Sequence, residues 1–325
     1  MSRDFEFEKP IIELEARLKE LQAISENGKI DLSREINAIA EKINTLKEEI
    51  YAELEPWQVT QVARHIDRPS TLDLIKYLSQ DDFVELHGDR LFGDDAAIVA
   101  GPGKIGDFKV MFIGHQKGHD TEENIFRNFG MPHPEGYRKA LRMMKLAERF
   151  NLPIIIFIDT PGAFPGIGAE ERGQSEAIAR NLAEMSQIAV PILCFVTGEG
   201  GSGGALAISV GDRLFMFEFS VYSVISAEGC AAILWNDPTK SKEAARALKM
   251  RAINLKELGI IDEILPEPLG GAHRNPQQVA EAIKQTVEAH LPELLKLSRE
   301  ELLEQRYNKF RSMGQFSCEE ELGNA

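Results

Sequence analysis

The sequence predicts an α/β chain in which a mostly parallel β-sheet with covered faces follows an N-terminal helical hairpin. Three observations carry this. Short β-rich apolar runs at 96–100, 110–114, 154–159, 192–197 and 214–217 alternate with helical stretches at 136–150, 169–187 and 203–210, and such alternation builds parallel sheets. Ahead of them lie two narrow apolar stripes at helical spacing. The length of 325 residues, with 43% apolar and 27% charged side chains, allows a core of ordinary size.

The first element is the hairpin at 1–55. Ile11, Leu14, Leu18 and Leu21 recur at steps of three, four and three, and Ile36, Ile39, Ile43, Leu46 and Ile50 continue the pattern. Asn27-Gly28 separates the two runs, and Asp31 or Ser33 is placed to cap the second helix. Each stripe is flanked by Glu, Lys and Arg, as in helices packed along one seam. Two uses fit equally: an oligomerisation or docking arm, or a helical pair lying on its own domain. Pro56-Trp57 closes the arm, a helical linker follows at 56–84, and the main domain spans 85–313. Helices at 276–290 and 292–312 finish it, and 314–325 reads as a flexible, acidic tail.

The net charge of −15 speaks against a broad nucleic-acid or anionic-membrane surface. No apolar run approaches the roughly 20 residues of a membrane span, and Met1 through Glu6 has no secretory h-region. Cys194, Cys230 and Cys318 form no C-x-x-C pair, so no zinc ribbon or dithiol site is expected. Cys194 lies in the apolar run 191–196 and reads as a reduced core thiol. A cytoplasmic protein fits all of this.

The most informative segment is 196–208, where five glycines occupy seven positions from Gly198 to Gly204. It follows an apolar strand and opens a helix. Glycines free the backbone to turn and let a ligand approach N–H groups, and a helix start offers unpaired donors and a positive dipole end. A phosphate or an oxyanion suits such a place. Gly198-x-Gly200-x-x-Gly203 spells the dinucleotide fingerprint, with Glu218 downstream. Gly200-Gly201-Ser202-Gly203-Gly204 spells the nucleophile elbow, with Asp262 and His273 in suitable chain order. A P-loop is excluded, because no Gly-Lys-Ser/Thr follows. The remaining reading is an oxyanion hole of backbone N–H groups. A second turn, Asp159 through Gly166, favours it. This turn also joins a strand to a helix, and parallel strands bring such turns to one sheet edge.

Other polar residues have plain structural readings. His115 and His119 are at i, i+4 but bracket Gly118 after a strand, which suits a loop pair better than a metal pair. Asp159 is expected to hydrogen-bond its own turn. Glu170-Glu171 favours a helix start, with Arg172 placed to meet a ligand phosphate. His273-Arg274 lies in a Gly-rich loop of the kind that serves recognition.

Across these residues the chain resembles the carboxyltransferase alpha subunit of multi-subunit acetyl-CoA carboxylase, of the bacterial and plastid type. The strings that carry the likeness are 127–132, 134–140, 159–164, 168–180, 198–208, 223–230 and 267–276. The resemblance extends over nearly the whole chain except the last dozen residues. It implies a crotonase-type fold of ββα units in the 85–313 domain. It implies transfer of a carboxyl group from carboxybiotin, held on the biotin carboxyl carrier protein, to acetyl-CoA, giving malonyl-CoA for fatty-acid synthesis. It implies an alpha2beta2 assembly active only with the beta subunit, zinc in that subunit and none here, and biotin carboxylase in the wider complex. Gly203 and Gly204 match the family's catalytic donors. Gly162, Ala163, Phe164, Gly166 and Ala205 are expected to shape the substrate pocket. The rival function is another acyl-CoA enzyme of the same fold, a hydratase or decarboxylase.

Overall fold

The computed structural model describes residues 5–27 and 31–314. Two long helices, α1 (Lys9–Asn27) and α2 (Ser33–Ala52), open the chain as the apolar stripes predict. Lys47 ties them by an ion pair to Glu15 at 2.7 Å. The Asn27-Gly28 break falls largely outside the described residues. Leu32 takes the N-cap position of α2, so neither Asp31 nor Ser33 does, although the Asp31 carboxylate accepts the Ser33 N–H at 3.1 Å.

The stretch that reads as a linker holds two helices, α3 (Pro56–Ala63) and α4 (Thr71–Ser79). Glu55 and Gln58 cap the first reciprocally, and Ser70 and Asp73 cap the second. The strands follow: β1 (Ile98–Ile105), β2 (Phe108–His115), β3 (Ile154–Thr160), β4 (Ile192–Gly201), β5 (Arg213–Phe217), β6 (Val221–Ser223) and β7 (Glu263–Leu265). Between β2 and β5 lie α5 (Thr121–Phe126), α6 (Pro134–Arg149), α7 (Ile167–Glu171), α8 (Gln174–Met185) and α9 (Ser202–Leu206). After β6 come α10 (Ala227–Trp235), α11 (Ser241–Leu248) and α12 (Ala252–Glu257). After β7 come α13 (Pro276–Leu294) and α14 (Arg299–Arg311). The single helix expected at 169–187 is split at Gly173, which adopts φ 83°.

The sheet order is β1-β2-β3-β4-β5-β7, with β6 pairing the far end of β4. Only β1 and β2 run antiparallel; every other pair is parallel. Because strand side chains alternate, β3 sends Ile154, Ile156 and Ile158 into one core with α6 and α8. It sends Ile155 and Phe157 into a second core with α4 and α13. A sheet buried on both faces explains why its strands read as continuous apolar runs. A third cluster joins Phe5, Tyr51, Val62, Phe219 and Met250, and seats the hairpin's base against α3, α10 and α11. Cys194 and Cys230 are buried free thiols. Among the described residues no helix is long and apolar enough to cross a membrane.

Candidate active site

Strands β3 and β4 are parallel neighbours, so the turns that leave them emerge at one sheet edge. The 161–163 turn and the glycine turn press against each other there. A Cβ built on Gly201 would lie 2.1 Å from the Pro161 oxygen, and one on Gly204 would lie 2.4 Å from the Gly162 carbonyl carbon. A Cβ on Gly200 would likewise strike the Tyr222 ring, and one on Gly198 would lie 2.5 Å from the Asp159 carboxylate.

These contacts correct the expectation that the glycines serve to free the backbone to turn and to admit a ligand. None of the five adopts a positive φ; the left-handed residue of the turn is Ser202, at φ 52°. The absent side chains make room for close backbone packing. Gly203 is the exception. Its hypothetical Cβ would meet only Ile178, at an ordinary 3.7 Å. The residue lies in the first turn of α9, where N–H groups have no intrahelical acceptor. Ala205 is fully buried behind it.

The facing loop is held from several sides. Thr160 Oγ1 donates to the Gly162 carbonyl at 2.7 Å and accepts the Gly162 N–H at 3.1 Å. The Phe164 N–H donates to the Pro132 carbonyl at 3.0 Å, and its ring stacks on His133 at 4.1 Å. Gly166 leaves space for that same ring, since a Cβ there would lie 2.5 Å from it. The 159–166 turn and 203–205 thus share one sheet edge, as the sequence predicts.

Asp159 departs from its expected role. Its carboxylate does not bond its own turn but crosses to the other, accepting the Glu199 N–H at 2.9 Å and the Lys117 ammonium at 2.6 Å. Glu199 in turn holds Arg64 at 2.5 Å, and Arg64 reaches Glu228 at 2.6 Å. Arg64, Lys117, Asp159 and Glu199 all line a cavity of about 350 Å³ that also takes in His119, Phe129 and Pro161. Gly162–Gly166 and Gly203–Ala205 lie outside its lining. Sequence reasoning missed Arg64 and Lys117.

The expected loop pair is split: His115 ends β2 while His119 lies in the loop after it, and the two have separate environments. His115 is fully buried beside the Gly204 and Phe157 carbonyls, and burial drives its pKa down to about 4, so the ring is neutral. His119 uses both ring nitrogens, at 2.7 Å from Asp73 and 3.0 Å from the Ile66 carbonyl. The Asp73 bond lifts its pKa to about 9.

The elbow's supposed partners lie elsewhere. Asp262 pairs with Lys309 and accepts the Leu214 N–H, while His273 stacks on His65 with centroids 3.9 Å apart. The recognition reading of His273-Arg274 is replaced by a packing one, because Arg274 pairs with Glu8 at 3.1 Å. Arg172 pairs with Glu135 at 2.6 Å and covers the Phe92 ring. Its guanidinium therefore has structural partners instead of a free phosphate-binding face.

A family profile described as acetyl co-enzyme A carboxylase carboxyltransferase-like matches residues 4–314. The chain is 60% identical over 312 residues to the acetyl-coenzyme A carboxylase carboxyl transferase subunit alpha of Geobacter metallireducens, covering 96% of this chain and 98% of that one. It is 58% identical to the same subunit of Halalkalibacterium halodurans, covering 98% and 97%. Among solved structures, a Pseudomonas malonate decarboxylase hetero-tetramer in complex with coenzyme A superposes with a TM-score of 0.58 at 16% identity, covering 73% and 93%. Transcarboxylase 12S superposes with a TM-score of 0.52 at 20% identity, covering 66% and 40%. These two likenesses establish the crotonase-type fold.

Proposed function

The chain belongs to the acetyl-CoA carboxylase carboxyltransferase family as an alpha subunit, and from that premise we propose how its residues serve the transfer. The observation that supports the reading is the close packing of two glycine turns at neighbouring parallel strand ends, with Gly203 left open at the start of α9.

Carboxybiotin, presented by the biotin carboxyl carrier protein, supplies the carboxyl group and, once that group leaves, the base. The chain's own part is electrostatic. The N–H groups of Gly203 and Gly204 donate to the ureido oxygen, where negative charge gathers as the carboxyl group departs. Donors fixed in place before the reaction stabilise such charge by about 3–4 kcal/mol each. This scheme requires no side-chain nucleophile. Gly203 fits because an acceptor can approach backbone that carries no Cβ. Gly204 sits against Gly162 and Ala163, which keeps the turn from yielding. Gly162, Ala163, Phe164, Gly166 and Ala205 form the adjoining wall.

The beta subunit completes the site in an alpha2beta2 assembly. It holds acetyl-CoA and the zinc, and biotin carboxylase recharges the carrier in the same cytoplasmic complex. Malonyl-CoA is the product. Mixing the chain with and without the beta subunit, malonyl-CoA and a biotin analogue tests this. Carboxyl transfer is expected only with both chains, and activity of the isolated chain would overturn the shared-site reading.

A further inference from the structure

We infer that Arg64 and Lys117 are positioning residues for carboxyl transfer, one acting through the Glu199 carboxylate and the other through Asp159 on the first residues of the glycine turn. The inference rests on the carboxyltransferase reading above.

The β3–β4 ladder breaks at this point. Ile158 pairs with Val196, and the next pair is Thr160 with Gly200, so one strand advances two residues while the other advances four. Residues 197–199 leave the β3 ladder here, and strand pairing resumes on the other side only at Glu199, which pairs with Val221 of β6; a bulge of this kind needs other groups to fix its path. Side chains supply them. Arg68 Nε donates to the Thr197 carbonyl at 2.5 Å. The Asp159 carboxylate packs where a Gly198 side chain would stand and accepts the Glu199 N–H. Lys117 Nζ donates to the same oxygen, Asp159 Oδ1, at 2.6 Å. The Glu199 carboxylate is gripped by Arg64 through Nε at 3.0 Å and Nη2 at 2.5 Å, a two-point contact that sets orientation as well as distance.

Beyond its pairing with β6, Glu199 is therefore held by side chains at two points, by its amide through Asp159 and Lys117 and by its carboxylate through Arg64 and Glu228. The Asp159 and Glu199 side chains are only 11% and 7% exposed, so these pairs are not ordinary solvent-screened surface bridges. Two residues separate Glu199 from Ser202, where α9 begins. A displacement at Glu199 is carried directly to the donor N–H groups, and a shift of about 1 Å in a reacting geometry can cost on the order of 100-fold in rate. Arg64 caps the C-terminus of α3. The 56–84 stretch thus reaches into the site and is more than a connector.

The test uses the alpha chain assembled with its beta subunit, with carboxyl transfer measured at varied acyl-CoA. Arg64→Met and Lys117→Met are each expected to lower kcat roughly 10–100-fold while KM for the acyl-CoA changes less than about twofold. Arg64→Lys, which keeps the charge but loses the fork, is expected to recover part of the loss. Should Arg64→Met fail to fold, Glu199→Gln keeps the side chain's shape and the backbone amide while removing the ion pair, and carries the same expectation. An inactive wild-type complex overturns the carboxyltransferase reading and this inference with it. An active wild type alongside fully active variants overturns the inference alone, as does a kcat loss that excess beta subunit abolishes.

Discussion

Gly204 and Gly162 are packed backbone to backbone: a Cβ on Gly204 would stand 2.4 Å from the Gly162 carbonyl carbon and 2.5 Å from the Ala163 nitrogen. Space at Gly204 is therefore a requirement of folding as well as of chemistry. Overpacking a rigid interior costs about 1–3 kcal/mol and sometimes more. Gly204→Val should lower the melting temperature and abolish transfer together. Gly203→Ala separates the two effects. Its new methyl group has room, and alanine favours a helix over glycine by about 1 kcal/mol. Melting should hold or rise while turnover falls. Full turnover in Gly203→Ala, measured in the assembled complex, would remove Gly203 from the donors.

Ser202 raises a different question, because its φ of 52° and its G-x-S-x-G setting imitate a nucleophile elbow. Asp262 is bonded to Lys309 and His273 is stacked on His65, so neither of these elbow partners is engaged with it. Ser202→Ala should cost well under the roughly 10⁴–10⁶-fold loss expected for a covalent nucleophile. A fluorophosphonate probe provides a direct check. Stoichiometric labelling of Ser202 would restore the hydrolase reading.

His119 sets a pH dependence. As a cation it donates from both nitrogens, to Asp73 and to the Ile66 carbonyl; a neutral ring can donate only once. Its folded pKa of about 9 lies above the ordinary imidazole value of 6.5, chiefly through the Asp73 hydrogen bond. The stabilisation is therefore complete below 6.5 and is lost as pH rises through about 9. Asp73 resists its own desolvation and is pulled down to about 2 by His119 and Ser70, so the pair's acid limb lies below pH 3.8. Both side chains are partly exposed, which limits the pair to about 1 kcal/mol. Stability curves taken across pH 6.5 to 9 should slope less in His119→Gln than in the wild type. Parallel slopes would show that this pair does not set the dependence.

What the sequence made legible followed local rules. The parallel sheet came from the alternation of apolar runs with helices, and the two turns came from their glycines and prolines at strand ends. The reason for the glycines did not. Nothing in 198–204 alone says that the Pro161 oxygen and the Gly162 backbone lie against it. Arg64 and Glu199 are 135 positions apart, and Arg68 and Glu267 are 199 apart. No local pattern encodes such pairings, so 56–84 reads as a linker. One missed element was readable: Ser70-Thr71-Leu72-Asp73 has the form of the capping box that opens α4. Lys117 left no comparable signal, because its importance comes only from the Asp159 carboxylate opposite.

The helical hairpin supplies the last prediction. Its second stripe is unevenly covered, with Ile43 only 4% exposed while Ile36, Ile39 and Leu46 are half-buried. If burial within the pair were the stripe's whole purpose, truncation should destabilise in proportion to burial. Ile43→Ala should then cost about 2–4 kcal/mol and Ile39→Ala less than half of that. If the half-buried face also docks the beta subunit, Ile39→Ala should weaken assembly while leaving the melting of the isolated chain nearly unchanged. Deleting the whole arm is a poorer test. It would also strip Phe5 from the His65–His273 stack and Glu8 from Tyr51 and Arg274, so the main domain itself would suffer. Sedimentation of the two point variants with the beta subunit, set beside their melting curves, separates the cases. Assembly that weakens only where melting also falls assigns the stripe to packing. Weakened assembly in a normally melting Ile39→Ala assigns it to docking.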